Sequence, residues 1–99
     1  MSVSLSTHVL DTGAGRPAAG VRVEVMGPDG APVAGGETDA DGRLRLADEL
    51  DAGVYTLVFH PPSPFFRRVE LEVELDDADR HYPVPLLVSP YSCASYRGS

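Results

Sequence analysis

The sequence contains no lysine, no tryptophan and a single cysteine, Cys93. Without lysine there is no Schiff-base chemistry and no phosphate loop of the kind that ends in Gly-Lys-Ser/Thr. One cysteine permits no internal disulfide, so the chain is not a disulfide-stapled secreted scaffold. Positive charge is scarce: eight arginines face 15 acidic residues, for a net charge of −7 with His neutral and a pI ≈ 4.7. That balance excludes a chain-wide nucleic-acid footprint, which needs a basic face, and disfavours an anionic membrane surface. Long apolar runs are missing too. The longest, Val84 to Val88, is interrupted by Pro85 and is far too short to span a bilayer. The opening MSVSLSTHVL has no basic segment ahead of an apolar one, so no signal peptide is expected and the location expected is cytoplasmic.

What is present is ordinary globular composition, 42% hydrophobic and 23% charged, in 99 residues, enough for one domain over 1–99. Ten glycines and nine prolines punctuate short apolar stretches, as in all-β chains. Val21, Val23 and Val25 alternate with Arg22 and Glu24. Val69, Leu71, Val73 and Leu75 alternate with three glutamates. Apolar residues at a strict period of two mean half-buried strands, since a helix would need spacings of three and four. Further strands are expected at Leu5–Leu10, Ala31–Glu37, Arg43–Leu46, Tyr55–His60, Tyr82–Ser89 and Cys93–Arg97. Gly27-Pro28-Asp29-Gly30 and Asp39-Ala40-Asp41-Gly42 read as turns. Seven or eight short strands predict a two-sheet β-sandwich. The apolar run before Ser89 predicts a subunit interface, because both of its faces are hydrophobic.

No metal or cofactor site is expected. No zinc-ligand spacing occurs, and the loop from Asp39 places Leu50 where a calcium loop needs Glu. No Gly-x-Ser-x-Gly elbow is present. Cys93 has no neighbouring base and reads as a buried, inert thiol.

The two ends are more specific. Leu5-Ser6-Thr7-His8-Val9-Leu10-Asp11, then Gly15-Arg16-Pro17-Ala18, opens the chain. Pro85-Leu86-Leu87-Val88-Ser89-Pro90-Tyr91 and Tyr96-Arg97-Gly98-Ser99 stand at the other end, with Thr38-Asp39-Ala40-Asp41-Gly42-Arg43 between. Together these resemble the 5-hydroxyisourate hydrolases, the enzymatic branch of the transthyretin-like family. The resemblance implies a transthyretin-like β-sandwich assembled as a homotetramer, a dimer of dimers, with sites at the dimer–dimer interface. It implies hydrolytic ring opening of 5-hydroxyisourate, an intermediate of urate degradation, without metal or cofactor. His8, Arg43 and Ser99 match catalytic positions; Arg97 and Tyr96 of the terminal tetrapeptide, together with His81, would contact substrate. Such a set suits a planar, oxygen-rich acid, with Arg as a fork of donors and His as an acceptor of a water proton.

Two departures stand out. Where the resemblance calls for a second histidine, the chain has Pro83, which can be neither acid nor base. His81 lies two residues away on the same strand face, a shift of about 6–7 Å. And His60-Pro61-Pro62-Ser63-Pro64 runs almost directly into the next strand, so the family's short helix is expected to be reduced or absent. Two other functions are compatible with these residues: a repurposed enzyme for another small cyclic substrate, and a non-catalytic small-ligand-binding tetramer.

Overall fold

The computed structural model describes residues 2–99. Ten strands follow in order: β1 (Val3–Asp11), β2 (Arg16–Pro17), β3 (Arg22–Met26), β4 (Pro32–Glu37), β5 (Arg43–Leu50), β6 (Gly53–His60), β7 (Val69–Leu75), β8 (His81–Pro83), β9 (Leu86–Ser89) and β10 (Ser92–Ser95). They form a six-stranded and a four-stranded sheet, the latter in the order β4-β3-β6-β7. The chain is an all-β, two-sheet sandwich, and no helix occurs among the described residues.

β1 organises the larger sheet. Its odd residues Val3, Leu5, Thr7 and Val9 are buried, and its even residues Ser4, Ser6, His8 and Leu10 lie half-buried on the opposite face. The alternation follows from the pleat, which sends successive side chains to opposite faces. β5 runs antiparallel along one side of β1, while β8 and then β9 run parallel along the other. Between the sheets, Leu5, Val9, Val23, Leu57, Phe59, Leu75, Tyr82 and Leu86 are each at most 2% exposed. Each such side chain stabilises the fold by about 1.5–3 kcal/mol relative to exposure.

Ten strands form where seven or eight are expected, and several expected boundaries move. Tyr82–Ser89 is two strands, not one: the pairing with β1 is interrupted over Val84 and Pro85, between β8 and β9. Val84 amide donates to Ser6 carbonyl at 2.9 Å, and buried Thr7 donates its hydroxyl to Val84 carbonyl at 2.7 Å, closing the gap. Cys93–Arg97 shortens to β10, leaving Tyr96 and Arg97 outside any strand. Arg43–Leu46 lengthens to Leu50, because β1 keeps pairing as far as Val3↔Leu50. Most of the apolar run is covered by the chain itself: Val84, Pro85, Leu86 and Val88 are buried, and Leu87 alone is half-buried. After β6, Ser63 Oγ accepts from the amides of Phe65 and Phe66 and donates to Pro90 carbonyl. This single turn replaces the missing helix.

Candidate active site

The outward face of the six-stranded sheet is a small grid. Along β1 stand Ser4, Ser6 and His8. Across β5, Ser6 pairs with Arg45 and His8 with Arg43. Across β8, Ser4 pairs with His81 and Ser6 with Pro83. Directly opposite residues share a face, so all seven side chains belong to one surface. A groove of about 520 Å³ lies over it, lined among others by Ser6, His8, Arg43, Arg45, Pro83 and Gly98. Its size suits a small ligand.

The Asp39–Gly42 turn fixes one edge. Asp39 Oδ1 accepts from the amides of Asp41 and Arg43 at 2.9 and 3.0 Å, an Asx-type turn. Gly42 takes φ 74°, a conformation that side chains disfavour. The turn delivers the carbonyl of Asp41 to His8 Nε2 at 2.9 Å. A carbonyl only accepts, so Nε2 carries a proton, and in the neutral ring it is Nδ1 that holds the lone pair. Arg43 starts β5 beside His8. It takes part in none of the ion pairs among the described residues, which are Arg45–Asp48, His60–Glu24 and Arg68–Glu70. An unpaired guanidinium next to an imidazole lone pair is equipped to hold an oxygen-rich anion and accept a proton.

His81 sits at the far end of the grid. Its Nδ1 lies 2.7 Å from Ser4 Oγ and its Nε2 2.8 Å from Ser6 Oγ. Burial, and then the charge of Arg45, lower its pKa from the usual histidine value, with Asp48 opposing. Four residues of β1 separate Ser4 from His8, about 13 Å along the strand, so His81 does not reach the His8 end directly.

The terminal tetrapeptide divides. Gly98 donates its amide to Pro83 carbonyl at 2.8 Å, and a Cβ at this position would stand 2.5 Å from Pro83 Cγ. Glycine is therefore required for the tail to lie on Pro83. Tyr96, 59% exposed, borders the groove over β1 and also a second one of about 450 Å³. Arg97 borders only that second groove, beside Glu70, Glu72 and Glu74, and Ser99 borders neither. One protomer thus gathers His8, Arg43 and Tyr96, with His81 behind Ser6, and leaves Arg97 and Ser99 outside. Ser4, Ser6, Arg45 and Gly98 escaped the sequence reading as site residues. The period of two from His8 back along β1 was a usable signal for the serines. Cys93 is half-buried, with its thiol pKa raised by burial, which keeps it unreactive. His60 is tied to Glu24 on the other sheet.

Comparison with known proteins agrees with this architecture. The Transthyretin model, described as the HIUase/Transthyretin family, matches residues 5–98. The 5-hydroxyisourate hydrolase of Caulobacter vibrioides is 43% identical, over 96% of this chain and 97% of that protein. The 112 aligned positions exceed the 99 residues here, so that relative carries residues this chain lacks. The structure of Klebsiella pneumoniae 5-hydroxyisourate hydrolase superposes with TM-score 0.85 at 32% identity, covering 97% of this chain and 99% of that one. Sea bream transthyretin in complex with thyroxine gives 0.83 at 31% identity, covering 95% and 93%.

Proposed function

The chain belongs to the HIUase/transthyretin family, and on that premise we propose that it opens the ring of 5-hydroxyisourate by hydrolysis, in urate degradation, with the groove over β1 as its active site. The observation that carries this reading is the pairing of His8 and Arg43. The Asp41 carbonyl holds the His8 Nε2 proton, which leaves Nδ1 to receive a proton beside an unpaired guanidinium. In the reaction a water oxygen forms a bond to a ring carbonyl carbon as His8 Nδ1 takes one of its protons. The carbonyl oxygen gains charge, which Arg43 and Arg45 stabilise as fixed cations. The ring C–N bond then breaks, giving a carboxylate and an N–H. The scheme draws on no metal or cofactor.

Arg97 and Ser99 enter through assembly. The groove lies open on the outer face of the sheet, so a homotetramer built on that face would cover it and supply the missing tail groups. Pro83 favours a second reading, in which the same groove opens a different small cyclic substrate.

The test generates 5-hydroxyisourate from urate in situ and follows its ultraviolet absorbance. Faster decay with the protein than in buffer is expected; decay at the buffer rate would sink the hydrolase reading. The tail gives a second expectation. Gly98→Ala must lift the tail from Pro83, and kcat/KM is expected to fall by about 100-fold, the cost of a misplacement near 1 Å. The melting temperature should stay within about 2 °C, because an exposed tail contributes little to stability. Unchanged kinetics would separate the tail from the chemistry.

A further inference from the structure

Resting on that reading, we propose that Ser4, His81 and Ser6 form a proton relay that carries a proton from solvent into the groove and delivers it to the leaving ring nitrogen through the Ser6 hydroxyl. The relay supplies what Pro83 cannot.

The geometry has three parts. First, both nitrogens of the His81 ring are engaged by hydroxyls, Ser4 Oγ at 2.7 Å and Ser6 Oγ at 2.8 Å. Each hydroxyl both donates and accepts, so either tautomer of the neutral ring satisfies both bonds. Secondly, the two ends of this chain of bonds open to different places. Ser6 lines the groove with His8, whereas Ser4 does not line it and is half-buried. Thirdly, Ser6 and His8 stand two residues apart on one face, about 6–7 Å along the strand. A small ring lying between them can meet His8 on the side of the attacking water and Ser6 on the side of the departing nitrogen. Pro83, opposite Ser6 across the ladder, offers no competing donor.

The transfer needs no charged histidine. As the ring C–N bond breaks, the nitrogen takes the Ser6 proton. Ser6 recovers one from His81 Nε2, Ser4 gives its proton to Nδ1, and a solvent proton replaces that of Ser4. His81 ends as the other tautomer and, once the product has left, resets by the reverse shift, in which Ser6 returns a proton to Nε2 and takes one from groove water while Nδ1 gives its proton to Ser4 and Ser4 releases one to solvent. The proton that His8 took from water returns to solvent, so water is the only reactant consumed. Burial and the Arg45 charge, only partly offset by Asp48, lower the pKa of His81 and so favour its neutral form, the one that can exchange tautomers.

The test compares Ser6→Ala, Ser4→Ala and His81→Gln in the full-length protein, with melting temperature and oligomeric state as folding controls. Each substitution is expected to lower kcat by about 100-fold with KM changed less than about threefold, the scale of lost acid catalysis. Combining Ser4→Ala with Ser6→Ala should cost no more than either alone, since the three groups act as a unit. Ser6→Thr, which keeps the hydroxyl, should recover most of the rate. The distinctive outcome is Ser4→Ala, which leaves the groove lining untouched. If it retains wild-type kcat, or if the double variant loses the product of the single losses, the relay is overturned while the hydrolase reading stands. A wild-type protein that leaves 5-hydroxyisourate decay at the buffer rate overturns both.

Discussion

Replacing His8 with alanine is expected to lower kcat by about 1,000-fold, within the range measured for loss of a general acid–base group. The ring is half-buried and makes a single bond, to the carbonyl of Asp41, that ends in an exposed turn. Its removal leaves that carbonyl to water, so stability should change by less than about 1 kcal/mol. KM should hardly move, because Arg43 and Arg45 remain to bind the ring oxygens. Steady-state ultraviolet kinetics and a melting curve measured on the same preparation check both halves. A His8→Ala variant with kcat within tenfold of wild type would remove His8 from the chemistry and leave the groove as a binding site.

The second large effect is structural in origin. Gly42→Ala is expected to destabilise the protein by about 2–4 kcal/mol, through left-handed backbone strain and a backbone clash together. An added Cβ at this position would lie 2.4 Å from Val9 carbonyl oxygen and 3.2 Å from Ala18 amide, with φ held at +74°. Neither neighbour can yield, because Val9 amide already donates to Gly42 carbonyl at 2.7 Å and Ala18 amide to Val9 carbonyl at 2.9 Å. For a chain of this size the melting temperature should drop by about 10–20 °C at fixed protein concentration. Activity should fall as well at temperatures where the variant is still folded, since the same turn aims Asp41 at His8 and begins β5 at Arg43. A melting temperature within 3 °C of wild type would show that the turn can relax around the methyl group.

The sequence disclosed the sandwich because its signals were local. The valines from Val21 and the alternation from Val69 each define a buried face without reference to any partner, and Asp39-Ala40-Asp41-Gly42 names its own turn. The His8–Arg43 pair was reachable through the family resemblance. The grid around it was not, because register is a relation between strands: nothing local in His81-Tyr82-Pro83 places His81 abreast of Ser4, 77 residues earlier. The same limit hid the break between β8 and β9. Two prolines signal trouble for a ladder, but only the structure shows Thr7 and Val84 closing the gap. From sequence alone a strand over Cys93–Arg97 is expected, because nothing local in Ser95-Tyr96-Arg97 ends it. In the fold the ladder of β10 with β9 ends at Ser95, and the Gly98 amide bonds instead to the carbonyl of Pro83 at the end of β8.

That docking point has a wider meaning for how this surface can change. Val84 amide and Arg80 carbonyl bond to β1 through Ser6 and Ser4, so the even-numbered residues on this stretch hold the sheet together. Pro83 shows that the intervening position has no amide obligation to β1, and its carbonyl, which receives Gly98, is common to every amino acid. Position 83 therefore borders the proposed active-site groove with a side chain that the backbone ladder to β1 does not constrain. On the proposed reading, the side chain at this position can alter the chemistry of the groove without adding or removing a bond of the β1 ladder.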